Sequence, residues 1–463
     1  MADYDIIVLG GGTGCLVATA AADAGLETAL VERGRLGGTC LNRGCNPSKK
    51  LIHRADVAEA VRHADGLGID ASVDGVAFGD IVADVTATIT EEAEAKAQRA
   101  RERDGLTFYQ AEGRFVGPHT VAVDTGEGLG GDRFTAERIV LAGGSRPMIP
   151  AAIDGIDETS FLTSADALRL EALPERLLVV GGGYIAVEMG HFFGQMGSDV
   201  TVVGRGDVLL DREDAAIAER LTEAYRAKHD LKLGFSATAI ADDDGERVVT
   251  AESEGGEETE LRGDRLLLAT GRRPNSDLWN VSAAGIETDE QGFVETDDYL
   301  RTSVEGVYAI GDIAGNYMFK HSGDTEAEYA VANAVHGNER AVEYPGMAHA
   351  VFGSPQVAGF GATEGDVDGE YAVGTCAYDD TALGAALRDE GGFAKAIVDE
   401  DGEILGCHVV GPEASTLIHE VSTAVAAGAD AQDIAATIHV HPALSEVVQG
   451  AFRDAVDYGH DGL

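Results

Sequence analysis

Residues 3–34 read DYDIIVLGGGTGCLVATAAADAGLETALVERG, and the fold follows from that stretch. An apolar strand runs into a glycine turn, a helix of small residues follows, and a second strand, ETALVE, ends on Glu32. This is a strand–helix–strand unit. Gly10 and Gly12 let the backbone turn sharply and approach a pyrophosphate at the helix N-terminus, while Glu32, 22 residues after Gly10, can accept a ribose hydroxyl. The spacing fits an adenine dinucleotide. Cys15 replaces the third glycine of the GxGxxG pattern, and a residue this small is expected to serve helix–strand packing.

The pattern returns at 176–207, RLLVVGGGYIAVEMGHFFGQMGSDVTVVGRGD, with Gly181, Gly183 and Ala186 as GxGxxA. Here the acid is missing. The second strand ends at Gly204, and Arg205 and then Arg212 supply positive charge where the first unit has a carboxylate, a setting that favours a 2′-phosphate. Two such frames with opposite ribose chemistry imply two different dinucleotides.

Between and after these units the pattern is coarser. Residues 91–105, EEAEAKAQRARERDG, read as an exposed charged helix; 111–124 and 138–150 read as strands with turns. Residues 242–264 form a strongly acidic, hairpin-like excursion. The chain changes character at Tyr344-Pro345-Gly346, and the short strands at 351–361, 393–399 and 404–411 with helical stretches after them point to a separate α+β domain.

The 463 residues carry 34 basic and 81 acidic side chains, a net charge of −47, and the basic set holds only 7 Lys. With 44% hydrophobic residues the chain folds, so the excess carboxylate coats a packed surface. Self-repulsion on this scale is tolerated where salt screens it, which points to a halophilic, cytoplasmic protein. The same field repels nucleic acid and anionic membranes. No apolar run reaches the roughly 20 residues of a membrane span, and no basic leader precedes the first strand.

Of the five cysteines only Cys40 and Cys45 lie close, within GRLGGTCLNRGCNPSKKLIHRA at 34–55. Asn46-Pro47-Ser48 and the apolar pattern after it place a helix start beside the pair. A helix N-terminus and the charges of Lys49 and Lys50 are expected to lower a thiolate pKa, making the pair a candidate for reversible exchange. His53 alone does not complete a four-ligand set, so no metal is expected.

At this point the chain resembles the flavin-dependent pyridine nucleotide disulfide oxidoreductases, the group of glutathione, mycothione and mercuric reductases and dihydrolipoamide dehydrogenase. The resemblance covers nearly the whole chain and rests on GGGTG, GGTCLNRGCNPSK, GGGYIAVE, ATGRRPN, YAIGD, VFGSPQV and IHVHPALSE in the family's order. It implies an α/β fold with two Rossmann-like dinucleotide-binding domains, for FAD and NADPH, and a C-terminal α+β dimerisation domain. The segments expected are 1–150 for FAD with the redox disulfide, 151–270 for NADPH, 271–343 returning to the FAD domain, and 344–463 for the interface. Gly10, Gly12, Thr13, Gly14, Glu32, Thr39, Lys49, Gly113 and Asp312 match positions that hold FAD, and Lys320-His321 lies where relatives approach the flavin's pyrimidine edge. Gly182, Ile185, Glu188, Arg205 and Gly271 match the nicotinamide dinucleotide site. Tyr184 matches the aromatic that in several relatives covers the flavin until the nucleotide displaces it, and Lys49 and Glu188 match an ion pair near the flavin's reactive nitrogen.

The resemblance also implies a mechanism. NADPH passes hydride to FAD, the flavin reduces a Cys40–Cys45 disulfide through Cys45, and Cys40 attacks the substrate. His441 with Glu446 matches the family's acid–base pair, which in relatives reaches the other subunit's site, so a homodimer is implied; His439 is left as a bystander. The first helix lacks the Arg of glutathione reductases, no cysteine follows Cys407 as in mercuric reductases, and Gly204 stands where dihydrolipoamide dehydrogenases keep an acid. Asp211 replaces a second Arg of glutathione reductases, with Arg212 beside it to compensate. The substrate expected is therefore a small-molecule thiol disulfide, bis-γ-glutamylcystine, as in the reductases of salt-loving organisms. The alternatives are a dihydrolipoamide dehydrogenase subunit of a 2-oxo acid dehydrogenase complex and a non-catalytic flavoprotein.

Overall fold

A computed structural model describes residues 3–126, 131–388 and 391–459, which form two compact units. The first comprises residues 1–50, 80–148 and 271–344; the second comprises 51–79, 149–270 and 345–463.

In the first unit the strand Tyr4–Leu9 lies between Thr28–Val31 and Asp132–Leu141, both parallel to it, in a seven-stranded sheet. Leu106–Tyr109 and Val307–Ala309 extend the parallel part, and Thr120–Val123 and Gly113–Gly117 add an antiparallel edge. The run Ile6-Ile7-Val8-Leu9 is continuous because both sheet faces are covered. Ile6 and Val8 pack with Val17, Ala18 and Ala21 of the helix Gly14–Asp23, while Ile7 and Leu9 join Phe115, Ile139 and Val307 on the other face. Each such Val, Leu, Ile or Phe side chain contributes about 1.5–3 kcal/mol on burial. Small residues let that helix sit close to the strand: a Cβ on Gly14 would lie 2.8 Å from Val8 Cγ1.

The second unit holds a four-stranded parallel sheet in the order Asp230–Leu233, Asp199–Gly204, Arg176–Val180, Arg265–Leu268, with the helix Tyr184–Met196 after its central strand. The acidic excursion belongs to a three-stranded antiparallel sheet, Phe235–Asp243, Glu246–Ser253 and Glu258–Gly263, in which Arg262 pairs with Asp243, Glu246 and Glu260. The C-terminal part is a five-stranded antiparallel sheet in the order Ala348–Val351, Gln356–Gly361, Ile404–Gly411, Phe393–Asp399, Tyr371–Ala377. The helices Ala414–Ala426, Ala431–Ala436 and Ser445–Ala455 contribute Ile418, Val421, Ile434, Val448 and Phe452 to its core. The unit borders split the expected 1–150 segment, because Asp56, Glu59 and Arg62 bond to His191, Gln195 and Lys228 inside the second unit.

Candidate active site

Cys40 stands in the short helix Gly38–Arg43, and Cys45 is the first residue of the helix Cys45–Arg62. Gly44 joins them. A Cβ there would fall 2.9 Å from Thr39 O, so only a bare backbone lets the second helix start this close to the first. Buried Asn42 ties the loop down, its Nδ2 donating to the carbonyls of Arg35, Leu36 and Gly38 at 3.0–3.1 Å. Both cysteines are present as thiols, and Cys40 also donates to Asn46 Oδ1 at 3.6 Å.

The pKa of Cys40 runs opposite to expectation. Its hydrogen bond to Cys45 pushes the thiol up, burial adds to the rise, and the cation that opposes it is Lys320 rather than Lys49 or Lys50. With the second sulfur beside it, Cys40 is held in its protonated form. Burial raises the other thiols as well. Cys15 donates to Gly11 O at 3.0 Å, and burial pushes its thiol up to about 11; burial pushes Cys376 to about 11 and Cys407 to about 12.

Around the pair the first unit builds a dinucleotide cradle. Gly10 has φ +106° and a Cβ on it would overlap Ala142 O at 2.1 Å; Gly12 and Gly38 approach so closely that a Cβ on Gly38 would lie 2.6 Å from Gly12 Cα. Glu32 accepts from Gly11 N at 2.8 Å and Gly34 N at 2.7 Å, which places its carboxylate against the turn. Thr13 precedes the helix Gly14–Asp23, and Thr39 is half-buried one residue before Cys40. Gly113 opens its strand under Val31 and Trp279, where a Cβ would meet Val31 Cγ1 at 2.8 Å. Asp312, in the turn Gly311–Ile313, accepts from Ser145, and Ser145 accepts from Arg272 Nε at 2.8 Å. Lys49 Nζ lies 3.4 Å from Ser48 Oγ, and Lys320 opens the helix Lys320–Ala330 paired to Asp324.

In the second unit Gly181 repeats the first turn, with φ +127° and a Cβ position 2.2 Å from Ala269 O. Tyr184 and Ile185 open the helix Tyr184–Met196, and buried Glu188 accepts from Phe352 N at 3.2 Å. Leu210 N donates to Gly182 O at 2.8 Å, tying the 205–214 loop to the turn. Arg205 and Arg212 are exposed on that loop, and the carboxylate of Asp211 lies beside Gly206. Gly271 falls in the first unit, where its carbonyl accepts from Met148 N.

His441 Nδ1 and Glu446 Oε1 are 2.9 Å apart, and Glu446 Oε2 accepts from Ala443 N at 2.9 Å. These bonds hold the Glu446 carboxyl below the usual range, while the His441 ring stays 70% exposed. His439 has no ring nitrogen to spare: Nε2 meets Glu420 at 2.5 Å and Nδ1 meets Thr437 O at 3.0 Å. Ile438 and Val440, which flank it, are 96% and 76% exposed.

Sequence reasoning passed over Arg272, Ser145 and Glu326. Burial lowers the Arg272 pKa, with Asp312 opposing. Burial raises Glu326, although it accepts from Gly311 N at 2.5 Å and Tyr344 Oη at 2.7 Å. The ATGRRPN and YAIGD motifs were visible, but their joining through Ser145 was not. Among the described residues no group of three or more His, Cys, Asp or Glu side chains is placed to hold a metal, and no helix is long and apolar enough to cross a membrane.

Fold and site together define a flavoprotein disulfide oxidoreductase, and comparison with known proteins agrees. Residues 4–334 match the model of the pyridine nucleotide-disulphide oxidoreductases and residues 347–452 that family's dimerisation domain. Dihydrolipoyl dehydrogenase 2 of Haloarcula marismortui is 38% identical over 96% of this chain and 95% of its own length. Mycothione reductase of Mycobacterium tuberculosis is 35% identical over 97% and 99%. The HOCl-induced flavoprotein disulfide reductase RclA from Escherichia coli superposes with a TM-score of 0.85 at 25% identity, covering 97% of this chain and 99% of that one. The chain belongs to the pyridine nucleotide-disulphide oxidoreductase family. It is an enzyme acting on sulfur groups with FAD and a pyridine nucleotide, and its dimerisation domain supports a homodimer.

Proposed function

We propose that the chain is an NADPH-dependent reductase of a small thiol disulfide, bis-γ-glutamylcystine. The observation that carries the nucleotide half is the end of the strand Asp199–Gly204, where a glycine and exposed Arg205 stand in place of a carboxylate. The acidic, lysine-poor surface supports a thiol pool of salt-adapted cells as the source of the disulfide.

The cradle fits FAD, since the positive-φ turn at Gly10 carries bare backbone to the N-terminus of the helix Gly14–Asp23, where a pyrophosphate is held, with Glu32 against the same turn. Gly10, Gly12, Thr13, Gly14, Glu32, Thr39, Lys49, Gly113, Asp312 and Lys320 would hold it. FAD, when bound, supplies the two-electron carrier between nicotinamide and sulfur. The remaining chemistry belongs to this chain's side chains. Cys40 keeps its proton, so its attack needs a base. His441 of the partner subunit, held by that subunit's Glu446, takes the proton while Cys40 Sγ bonds one substrate sulfur; the substrate S–S bond breaks, and the imidazolium protonates the departing thiolate. Cys45 Sγ then bonds Cys40 Sγ, releasing a second thiol and restoring the disulfide. Two electrons from the pair and two protons account for two thiols.

The test is a panel of bis-γ-glutamylcystine, glutathione disulfide and lipoamide, each assayed with NADPH and NADH in molar salt. The first disulfide with NADPH is expected to exceed the others in kcat/KM by about tenfold or more. The second reading, dihydrolipoamide dehydrogenase, is favoured by the name of the Haloarcula relative; lipoamide turnover linked to NADH would select it.

A further inference from the structure

Tyr184 is the first side chain after the second glycine turn, so a dinucleotide seated on the N-terminus of the helix Tyr184–Met196 meets its ring. That ring is not free to turn. Tyr184 Oη donates to Glu213 Oε1 at 2.6 Å, which spans from the turn to the loop that also carries Arg205 and Arg212. The Glu213 side chain is only 3% exposed and is fixed from behind by His349, whose Nε2 lies 3.0 and 2.8 Å from its two oxygens. The Tyr184 and His349 rings also stack, with centroids 6.1 Å apart and planes at 14°.

Strand register puts His349 there. His349 pairs with Gly359, Gly359 with His408, and His408 with Lys395, so three basic side chains share one row of the C-terminal sheet. Across from the row come Glu213 against His349, Asp214 against Lys395 at 2.8 Å, and Glu364 against Lys395 at 2.6 Å. Gly359 is what admits the imidazole, since a Cβ there would stand 2.8 Å from His349 Cε1.

We propose that Glu213, backed by His349, is a positioning residue that holds Tyr184 across the nucleotide turn, so that binding of the pyridine nucleotide breaks the Tyr184–Glu213 hydrogen bond. The inference rests on the reading of residues 181–186 as a pyridine nucleotide site. It makes part of the binding energy of the nucleotide the cost of releasing the tyrosine, a tax that loss of the tether removes.

The experiment measures the Kd of oxidised NADP+ for the oxidised holoenzyme by calorimetry, where no turnover intervenes. Tyr184→Phe keeps the ring and removes the tether, and is expected to tighten NADP+ by about tenfold, the scale of a charge-assisted hydrogen bond. Glu213→Gln is expected to tighten it by about threefold, since a neutral acceptor remains, and His349→Gln by less. In the Tyr184→Phe background, Glu213→Gln is expected to bring no further gain, a non-additivity that a merely structural role would not produce. Unchanged or weaker binding by Tyr184→Phe, or simple addition in the double variant, overturns the proposal. Tyr184→Phe and His349→Gln answer the question even where Glu213→Gln fails to fold. Wild-type holoenzyme that binds neither NADP+ nor NAD+ overturns instead the reading of the turn itself.

Discussion

The two glycine turns share a backbone and differ in what the strand after each one delivers. At Gly10 and at Gly181 the φ angle is positive and a Cβ would overlap a carbonyl oxygen of the neighbouring strand end, Ala142 or Ala269, at 2.1 and 2.2 Å. At the end of the second strand the first unit has Glu32 bound to Gly11 N and Gly34 N, whereas the second has Gly204, close against Gly182, followed by Arg205. Backbone geometry selects for a pyrophosphate, which every dinucleotide has. Discrimination between dinucleotides is left to what the next strand delivers.

The strongest way to break the comparison is to fill each turn in turn. Gly10→Val should yield protein without the flavin absorbance, and Gly181→Val protein that keeps the flavin but binds NADP+ at least about a hundredfold more weakly, because the Cβ meets backbone and the φ suits only glycine. Loss of flavin from the Gly181 variant would show that the turns are not independent. A finer cut removes only the discriminating charge. Arg205→Ala should raise the Kd of NADP+ by about tenfold and leave NAD+ unchanged, since the lost contact is made to the 2′-phosphate alone. Gly204→Asp should add affinity for NAD+ once Leu233 yields, its Cδ2 lying 2.9 Å from the new Cβ. Equal weakening of both nucleotides by the Arg205 change would take the 2′-phosphate out of the argument.

Much of this was legible because it is local. Glycine turns, the six-residue span of the cysteine pair and the His441 to Glu446 spacing are written within short windows, and the continuous apolar strand at residues 6–9 states that both faces are covered. What was not legible depends on residues brought together from afar. The largest influence on the Cys40 thiol is the neighbouring sulfur, which helix ends and lysines do not reveal. His349 stands 136 residues beyond Glu213 and faces it only through the register of three strands. The partner that holds His439, Glu420, sits 19 residues before it on the helix Ala414–Ala426. Ser145 linking Arg272 to Asp312 is of the same kind.

Acid offers the smallest effect and the sharpest contrast between the lobes. In the second unit burial pushes Glu213 and Asp214 up, but the bonds from His349 and Lys395 outweigh it and hold both carboxyls low. Their stabilisation is complete above the unfolded value of about 4 and is lost as pH falls through the depressed folded values. In the first unit burial raises Glu326, so its contribution has the other sign, greatest below the unfolded value and lost as pH rises through the folded one. Acid therefore removes support from the loop that carries Arg205 while relieving the buried carboxyl near Asp312. Trp279, the single tryptophan, packs at Gly113 and Gly143 inside the first unit and reports on it. On titration below about pH 4 in molar salt, NADP+ binding should fail before the Trp279 fluorescence shifts. Glu326→Gln should leave that gap in place in acid, where wild-type Glu326 is neutral too, and stabilise the first unit at neutral pH, and the reverse order of loss would mean that the two turns are braced by something other than these carboxylates.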